Sequence, residues 1–148
     1  RAMLRGIPPE LSPQLLETLA EMGHGDTITI GDAYFAAASM AKNSRLLRAD
    51  GMSAQRMADA ILQLMPLDNM AASSVTVMGI EDGKGGLALL DMSEKLLETV
   101  RRHDEKAAET SEIVDRLTFY ERAEQSFAVL ATGEPEHYGC IILQKGVR

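Results

Sequence analysis

In Glu21-Met22-Gly23-His24-Gly25-Asp26 a histidine stands between two glycines, with a carboxylate two residues on. Imidazole is the side chain that titrates nearest neutrality, so it can give or take a proton without prior tuning. Glycines on both sides let the chain reverse and let a ligand come close. His24 is therefore the first candidate for acid/base chemistry. Its structural alternative is a histidine capping the last turn of a preceding helix. Metal binding is not expected, because no short His/Cys/Asp spacing joins His24 to His103 or His137. Asp32 directly follows a strand-like run, where α/β sheets place ligand-contacting loops. A turn-forming aspartate is its alternative.

Two further segments combine reactive types. Arg116-Leu117-Thr118-Phe119-Tyr120-Glu121-Arg122 reads mostly as a core phenylalanine beside a solvated face. Arg116 is the exception, because its rigid donor fork suits adjacent sugar hydroxyls or a developing oxyanion. Tyr138-Gly139 sets a phenol beside a bare backbone, which suits packing against a sugar face. A tyrosine at a subunit contact is compatible with that reading. Gly83-Lys84-Gly85-Gly86 lacks the spacing of a phosphate loop and reads as a hairpin turn.

These residues need elements to hold them. Ser12-Pro13 opens a helix whose apolar face is Leu15, Leu16, Leu19 and Met22, with Gly23 expected as a left-handed cap. Thr27-Ile28-Thr29-Ile30 alternates as a strand and ends at Gly31-Asp32. Residues 33–50 read as loop with some helix, with a short strand starting at Leu46-Leu47. Ser53 caps a second helix, with Met57, Ile61, Leu62 and Met65 inward and Pro66 as its stop. Ser74–Ile80 is a strand, Ser93 opens a third helix, and Phe119–Phe127 forms a fourth. Ala128–Thr132 and Tyr138–Leu143 are late strands, and Cys140-Ile141-Ile142-Leu143 suits burial on both faces. Helices alternate with strands, so the expected fold is α/β: a single-domain three-layer α/β/α sandwich around a mostly parallel sheet.

Composition narrows the partners. The 148 residues carry a net charge of −7 and no basic cluster, so nucleic acid is not an expected partner. No apolar run approaches the length of a membrane span. Met3–Pro9 lacks a long apolar stretch, so no secretory signal is expected and the cytoplasm is the default compartment. The single cysteine, Cys140, cannot form an internal disulfide. The acidic balance suits a neutral small-molecule ligand or simple solubility.

Spacing then gives a geometric expectation. At about 3.3 Å per residue, five extended residues set the strand's ends roughly 17 Å apart, too far for one small ligand to touch both His24 and Asp32. Either the His24 loop folds back, or the two meet across a subunit contact.

The chain also resembles the family of L-fucose mutarotases and D-ribose pyranases. The likeness runs through Leu11-Ser12-Pro13, Glu21–Asp26, Asp32-Ala33, Arg48-Ala49-Asp50-Gly51 and Phe119-Tyr120-Glu121-Arg122-Ala123. It closes on Thr132-Gly133-Glu134, Tyr138-Gly139 and Lys145-Gly146-Val147. The resemblance implies that His24 is the catalytic acid/base. It also implies that Asp32, Arg116 and the Tyr138-Gly139-Cys140 backbone bind a monosaccharide. It implies a cofactor-independent isomerase and a ring-shaped homo-oligomer, a decamer, with sites between subunits. Arg116 stands where the fucose branch has arginine and the ribose branch histidine. Cys140 replaces the asparagine of the fucose-type pattern, and Tyr34 a frequent histidine. A non-catalytic sugar-binding or regulatory protein, a ribose-type pyranase and a purely structural interaction protein are the competing readings.

Overall fold

The computed structural model describes residues 4–148. The domain start expected at Met3, and Arg1-Ala2 before it, lie outside the described residues. Helix α1 (Pro13–Glu21) begins where its cap requires: the Ser12 hydroxyl oxygen accepts the Leu15 N–H at 3.1 Å, and proline sits in the first turn. Leu15 and Leu19 are buried beneath it. The expected left-handed cap at Gly23 is corrected. The chain leaves α1 extended at Met22 (φ −60°, ψ 136°), and the left-handed residue is Gly25 (φ 91°). The reason is Lys145, whose ammonium donates to the Leu19 and Met22 carbonyls at 2.7 and 2.5 Å. A distant side chain thus satisfies the end of the helix.

Strand β1 (Thr27–Gly31) follows. Residues 33–50 resolve into α2 (Ala37–Met40) and β2 (Arg45–Ala49). Helix α3 (Ala54–Leu62) is capped by Ser53 as expected, and Met65 is buried in the turn beyond it. Strand β3 (Val75–Glu81) turns into the short β4 (Leu87–Leu89). Helix α4 (Asp91–His103) starts two residues before Ser93. Ser93 is no cap: its hydroxyl donates to the Met78 carbonyl at 2.9 Å and fastens α4 to the sheet. The charged run after α4 contains α5 (Glu105–Glu109), capped by Asp104, and β5 (Glu112–Val114). Helix α6 (Arg116–Glu124) begins three residues before the expected Phe119, because Asp115 caps it by accepting the Thr118 N–H at 2.8 Å. Strands β6 (Ala128–Thr132) and β7 (Ile141–Gln144) complete the fold.

The strands form one sheet in the order β2-β6-β1-β7-β3-β4, with β5 also on β3. The α/β class and the three layers stand. The sheet is mixed rather than mostly parallel: β1–β6, β2–β6 and β3–β5 are parallel, whereas β1–β7, β3–β7 and β3–β4 are antiparallel. The physical reason is β7. It returns from β6 through residues 133–140 without a covering helix, so it must run against both of its neighbours.

Period-two alternation assigns the two faces. Ile28, Ile30, Leu130, Ile141, Leu143, Val75 and Val77 pack beneath α1, α3, α4 and α5. Met78, Cys140 and Ile142 pack against Phe119 and Ala123 of α6, and Val129 and Ala131 against α2. Phe119 is wholly buried, which contributes about 2–3 kcal/mol over an exposed ring. Phe35 meets it edge-on, with centroids 6.0 Å apart, and so ties the segment after β1 to α6.

Candidate functional site

The exit of β1 carries one half of the site. Ala33 N–H donates to the Glu134 carbonyl at 2.8 Å, which seats the β6–β7 connection beside β1. Asp32 is buried, and both of its oxygens are used. Oδ1 accepts the Tyr34 N–H at 2.8 Å and Oδ2 accepts the Gly139 N–H at 3.0 Å. The turn-aspartate role and the functional candidacy therefore coexist. Each oxygen keeps a lone pair, so an ionised Asp32 can still accept from a ligand hydroxyl. Tyr138, next to Gly139, is the one described non-glycine residue with positive φ, at 61°. Such a backbone costs of order 1–3 kcal/mol and persists where the surroundings impose it.

Aromatic rings surround this half. Tyr34 stacks on His137 with centroids 4.5 Å apart and planes 4° from parallel. Arg116 opens α6 and lays its guanidinium over the Tyr120 ring at 5.1 Å. The Tyr120 phenol beside it pushes Arg116 above its ordinary value, and the Tyr138 phenol adds to this. Tyr120 in turn meets Phe35 edge-on at 5.4 Å. Asp32, Arg116, Tyr138 and Gly139 are thus drawn to one end of the sheet.

Cys140 departs from that group. Its thiol is buried between Phe119, Met78 and Ile142. Burial, and then the nearby Asp32 carboxylate, push the thiol well above the usual range. A contribution of Cys140 to a ligand is confined to its main chain.

The entrance of β1 carries the other half. The Gly25 N–H donates to the Lys145 carbonyl and the Lys145 N–H to the Asp26 carbonyl, both at 2.8 Å. Asp26 also accepts the Gly23 N–H at 2.7 Å. The His24 loop is therefore pinned to the end of β7 and does not fold back toward Asp32. His24 caps nothing, since Lys145 has that role. Its Nε2 lies 3.1 Å from Oδ1 of Asp68, with the imidazole 42% exposed and the carboxylate side chain 6%. Asp68 also accepts the Met70 N–H at 2.9 Å and the Gln144 side-chain amide at 2.9 Å. These two donors and His24 hold its carboxyl down to about 2.

Asp68 escaped the sequence reading because its partners are His24 and Gln144, far away along the chain. Tyr120 and His137 escaped as well, since their neighbours are also tertiary. A local cue existed for Asp68 only in its place between a helix stop and a strand. Two clefts lie near the two ends of β1. One of about 440 Å³ lies beside Gly25 and Asp26, lined by Thr27, Thr76, Gln144, Arg122 and Glu112. Another of about 380 Å³ is lined by Asp32, Phe35, Arg48 and Thr132. Neither gathers His24 with Asp32.

Comparison with known proteins places the chain as a whole. A bovine (Bos taurus) fucose mutarotase is 41% identical over 148 residues, spanning 98% of this chain and 94% of its own. The fucose mutarotase of Streptococcus pneumoniae, solved in complex with L-fucose, superposes with a TM-score of 0.87 at 39% identity, over 98% of this chain and 99% of that one. FucU from Bifidobacterium longum superposes with a TM-score of 0.87 at 37% identity, over 97% and 99%. The model of the RbsD / FucU transport protein family matches residues 5–148, and the chain belongs to that family.

Proposed function

We propose that the protein is a cofactor-independent monosaccharide mutarotase, acting on L-fucose or a sugar of that type, with its site formed between two copies of the chain. The observation that carries this reading is the split: a proton carrier, His24, at one end of β1 and a sugar-anchoring group, Asp32 with Arg116 and Tyr138, at the other. The full-length similarity to fucose mutarotases supports the substrate class. Exposed apolar side chains flank both halves, Met70 beside Asp68 at 72% and Tyr34 and Leu117 beside Asp32 and Arg116 at 65% and 71%. Such side chains suit a contact between subunits, and hence a homo-oligomer. No described helix is long and apolar enough to cross a membrane. A cytoplasmic location suits a chain whose only cysteine is a free, buried thiol.

Anomer exchange opens the pyranose, turns the carbonyl and recloses the ring. A proton leaves the anomeric hydroxyl and one arrives on the ring oxygen. His24 carries it, which contributes about 10²–10⁴-fold. Asp32 accepts sugar hydroxyls and fixes the ring. Arg116 steadies the charge that builds on the ring oxygen. Tyr138 closes over a sugar face.

Saturation transfer between the α and β anomeric protons of L-fucose tests the proposal. Protein should accelerate exchange, and His24→Ala should return it to the uncatalysed rate. A His24→Ala variant as fast as wild type overturns the reading. Saturable sugar binding without acceleration replaces it with a non-catalytic binding protein, which the Asp32 half alone would serve.

A further inference from the structure

We propose that Tyr34 is a specificity-determining residue that meets the substituent on C5 of the sugar, and that His137 is a positioning residue that holds the Tyr34 ring in place for it. This rests on the mutarotase reading above and deepens it, by assigning the feature of the sugar that the Asp32 half selects.

The two rings come from segments that Asp32 already joins. Its carboxylate accepts the Tyr34 N–H on one oxygen and the Gly139 N–H on the other. Tyr34 lies two residues after Asp32, and His137 two residues before Gly139. Their rings stack across the same gap, nearly parallel, with centroids 4.5 Å apart. An exposed ring on a loop ordinarily hops between rotamers, and such a stack favours one of them. The turn that carries His137 is braced separately. The Glu136 N–H donates to Oε2 of Glu134 at 3.1 Å, and Oε1 of that carboxylate accepts the Ala54 N–H at 3.2 Å. A Cβ on Gly139 would come within 2.9 Å of the Glu134 side chain, so the turn is closely packed there. His137 thus stands on a held turn and covers one face of Tyr34. The rest of the Tyr34 side chain is exposed.

The order of atoms in a pyranose then places the contact. In the proposed function the anomeric carbon faces His24 and the ring oxygen faces Arg116. C5 follows the ring oxygen, and C4 with its hydroxyl follows C5. Asp32 accepts the hydroxyls, so the C5 substituent falls between Arg116 and Asp32. Tyr34, His137 and Tyr138 form an aromatic strip over that interval. The His137 and Tyr138 centroids are 6.4 Å apart, and the Tyr138 phenol lies close enough to Arg116 to act on its charge. A ring face offers apolar surface and neither donor nor acceptor. A methyl group on C5 leaves water against that face at no polar cost, which is worth about four-fold in binding. A hydroxymethyl group brings a hydroxyl that the face cannot pair. A bare C5 has nothing to bury. Tyr34 therefore selects a 6-deoxy sugar over its hydroxymethyl and unsubstituted counterparts.

Anomer exchange by saturation transfer, over three sugars with the same ring hydroxyls, tests this. The pyranoses of D-arabinose, L-fucose and L-galactose carry hydrogen, methyl and hydroxymethyl on C5. Wild-type kcat/KM should favour L-fucose about four-fold or more over each of the others. Tyr34→Ala should bring the three within about two-fold of one another, through KM and with kcat for L-fucose unchanged. His137→Ala should lose part of the preference and His137→Phe should restore it. The double alanine variant should be no worse than Tyr34→Ala alone, because His137 acts through Tyr34. Neither side chain is buried, so these variants should melt with the wild type. A wild type without the preference overturns the proposal. So does Tyr34→Ala with the wild-type ranking while His24→Ala is inactive, an outcome that leaves the mutarotase reading standing. A Tyr34→Ala chain that forms smaller assemblies and keeps the ranking makes the ring a subunit contact only, and overturns it too. His137→Ala at the full preference overturns the role given to His137. His24→Ala at the wild-type rate overturns the mutarotase reading, and this proposal with it.

Discussion

Oδ2 of Asp32 accepts the Gly139 main-chain N–H at 3.0 Å, joining the exit of β1 to a loop 107 residues further along the chain. The bond does two things at once. It fixes the segment on which Tyr138 sits in its left-handed conformation, and it orients the carboxylate proposed to anchor the sugar. Asp32→Asn should damage both. An amide offers only one accepting oxygen to two backbone donors, the N–H groups of Tyr34 and Gly139. One buried donor then faces an NH₂ group, at a cost of about 1–3 kcal/mol. Thermal unfolding should show that loss. Anomer exchange should show kcat/KM down about ten- to a hundred-fold, as a charge-assisted hydrogen bond to the sugar is removed.

Asp68 gives the protein an acid-sensitive element. Its carboxyl is held at about 2 against an ordinary 3.8, chiefly by the Met70 N–H and the Gln144 amide. A carboxyl that ionises more readily in the fold than in the unfolded chain stabilises the fold at any pH above its unfolded value. That contribution disappears as pH falls from about 4 towards 2. Asp68→Asn should therefore melt below wild type at neutral pH, and the gap should narrow through that window. Circular dichroism melts at a series of pH values measure it. A gap that stays constant down to pH 2 would assign the difference to geometry rather than to charge.

Cys140 makes a prediction about reactivity. The thiolate is the reactive form, and both burial and the Asp32 charge oppose it. A disulfide reagent should leave the native protein unmodified over hours and should label one equivalent in denaturant. Rapid labelling of the native protein would show that the thiol is not packed against Phe119.

These relationships explain which parts of the molecule the sequence displays. Ser12, Ser53 and the alternation in Thr27–Ile30 are local signals that act within one turn or one strand, and the elements form there. The candidacy of His24 and Asp32 is legible for the same reason, since residue type and neighbouring glycines announce it. Ser93 looks like a cap and is not one, because the Met78 carbonyl takes its hydroxyl across the sheet. Helix α5 hides in a charged run and β5 has three residues, so neither carries a period long enough to read. The direction of β7 depends on where residues 133–140 are held, which Ala33 and Asp32 decide from the far side of the chain. Asp68 is invisible for the same reason: Gln144 is 76 residues away. What the sequence hides here is contact between distant segments.

The split of His24 from Asp32 makes the sharpest prediction. Strand β1 separates them within one chain, and the His24 loop is tied back to Lys145. If the working site joins two copies, His24→Ala and Arg116→Ala chains should complement each other. Each variant alone is inactive: one lacks the proton carrier at every site, and the other lacks the cation. In an equal hybrid, a site works when its histidine comes from an Arg116→Ala chain and its arginine from a His24→Ala chain. Random assembly of two chains at each interface meets that condition at about a quarter of sites, so about a quarter of the wild-type exchange rate should return. Co-expression or co-refolding forms the hybrids, and saturation transfer on L-fucose reads them. The double variant mixed with wild type is the control, because its chains spoil both of the sites they join. Complete silence of the hybrid would place both residues of every working site on one chain, and the His24 loop would then have to leave Lys145 to reach Asp32.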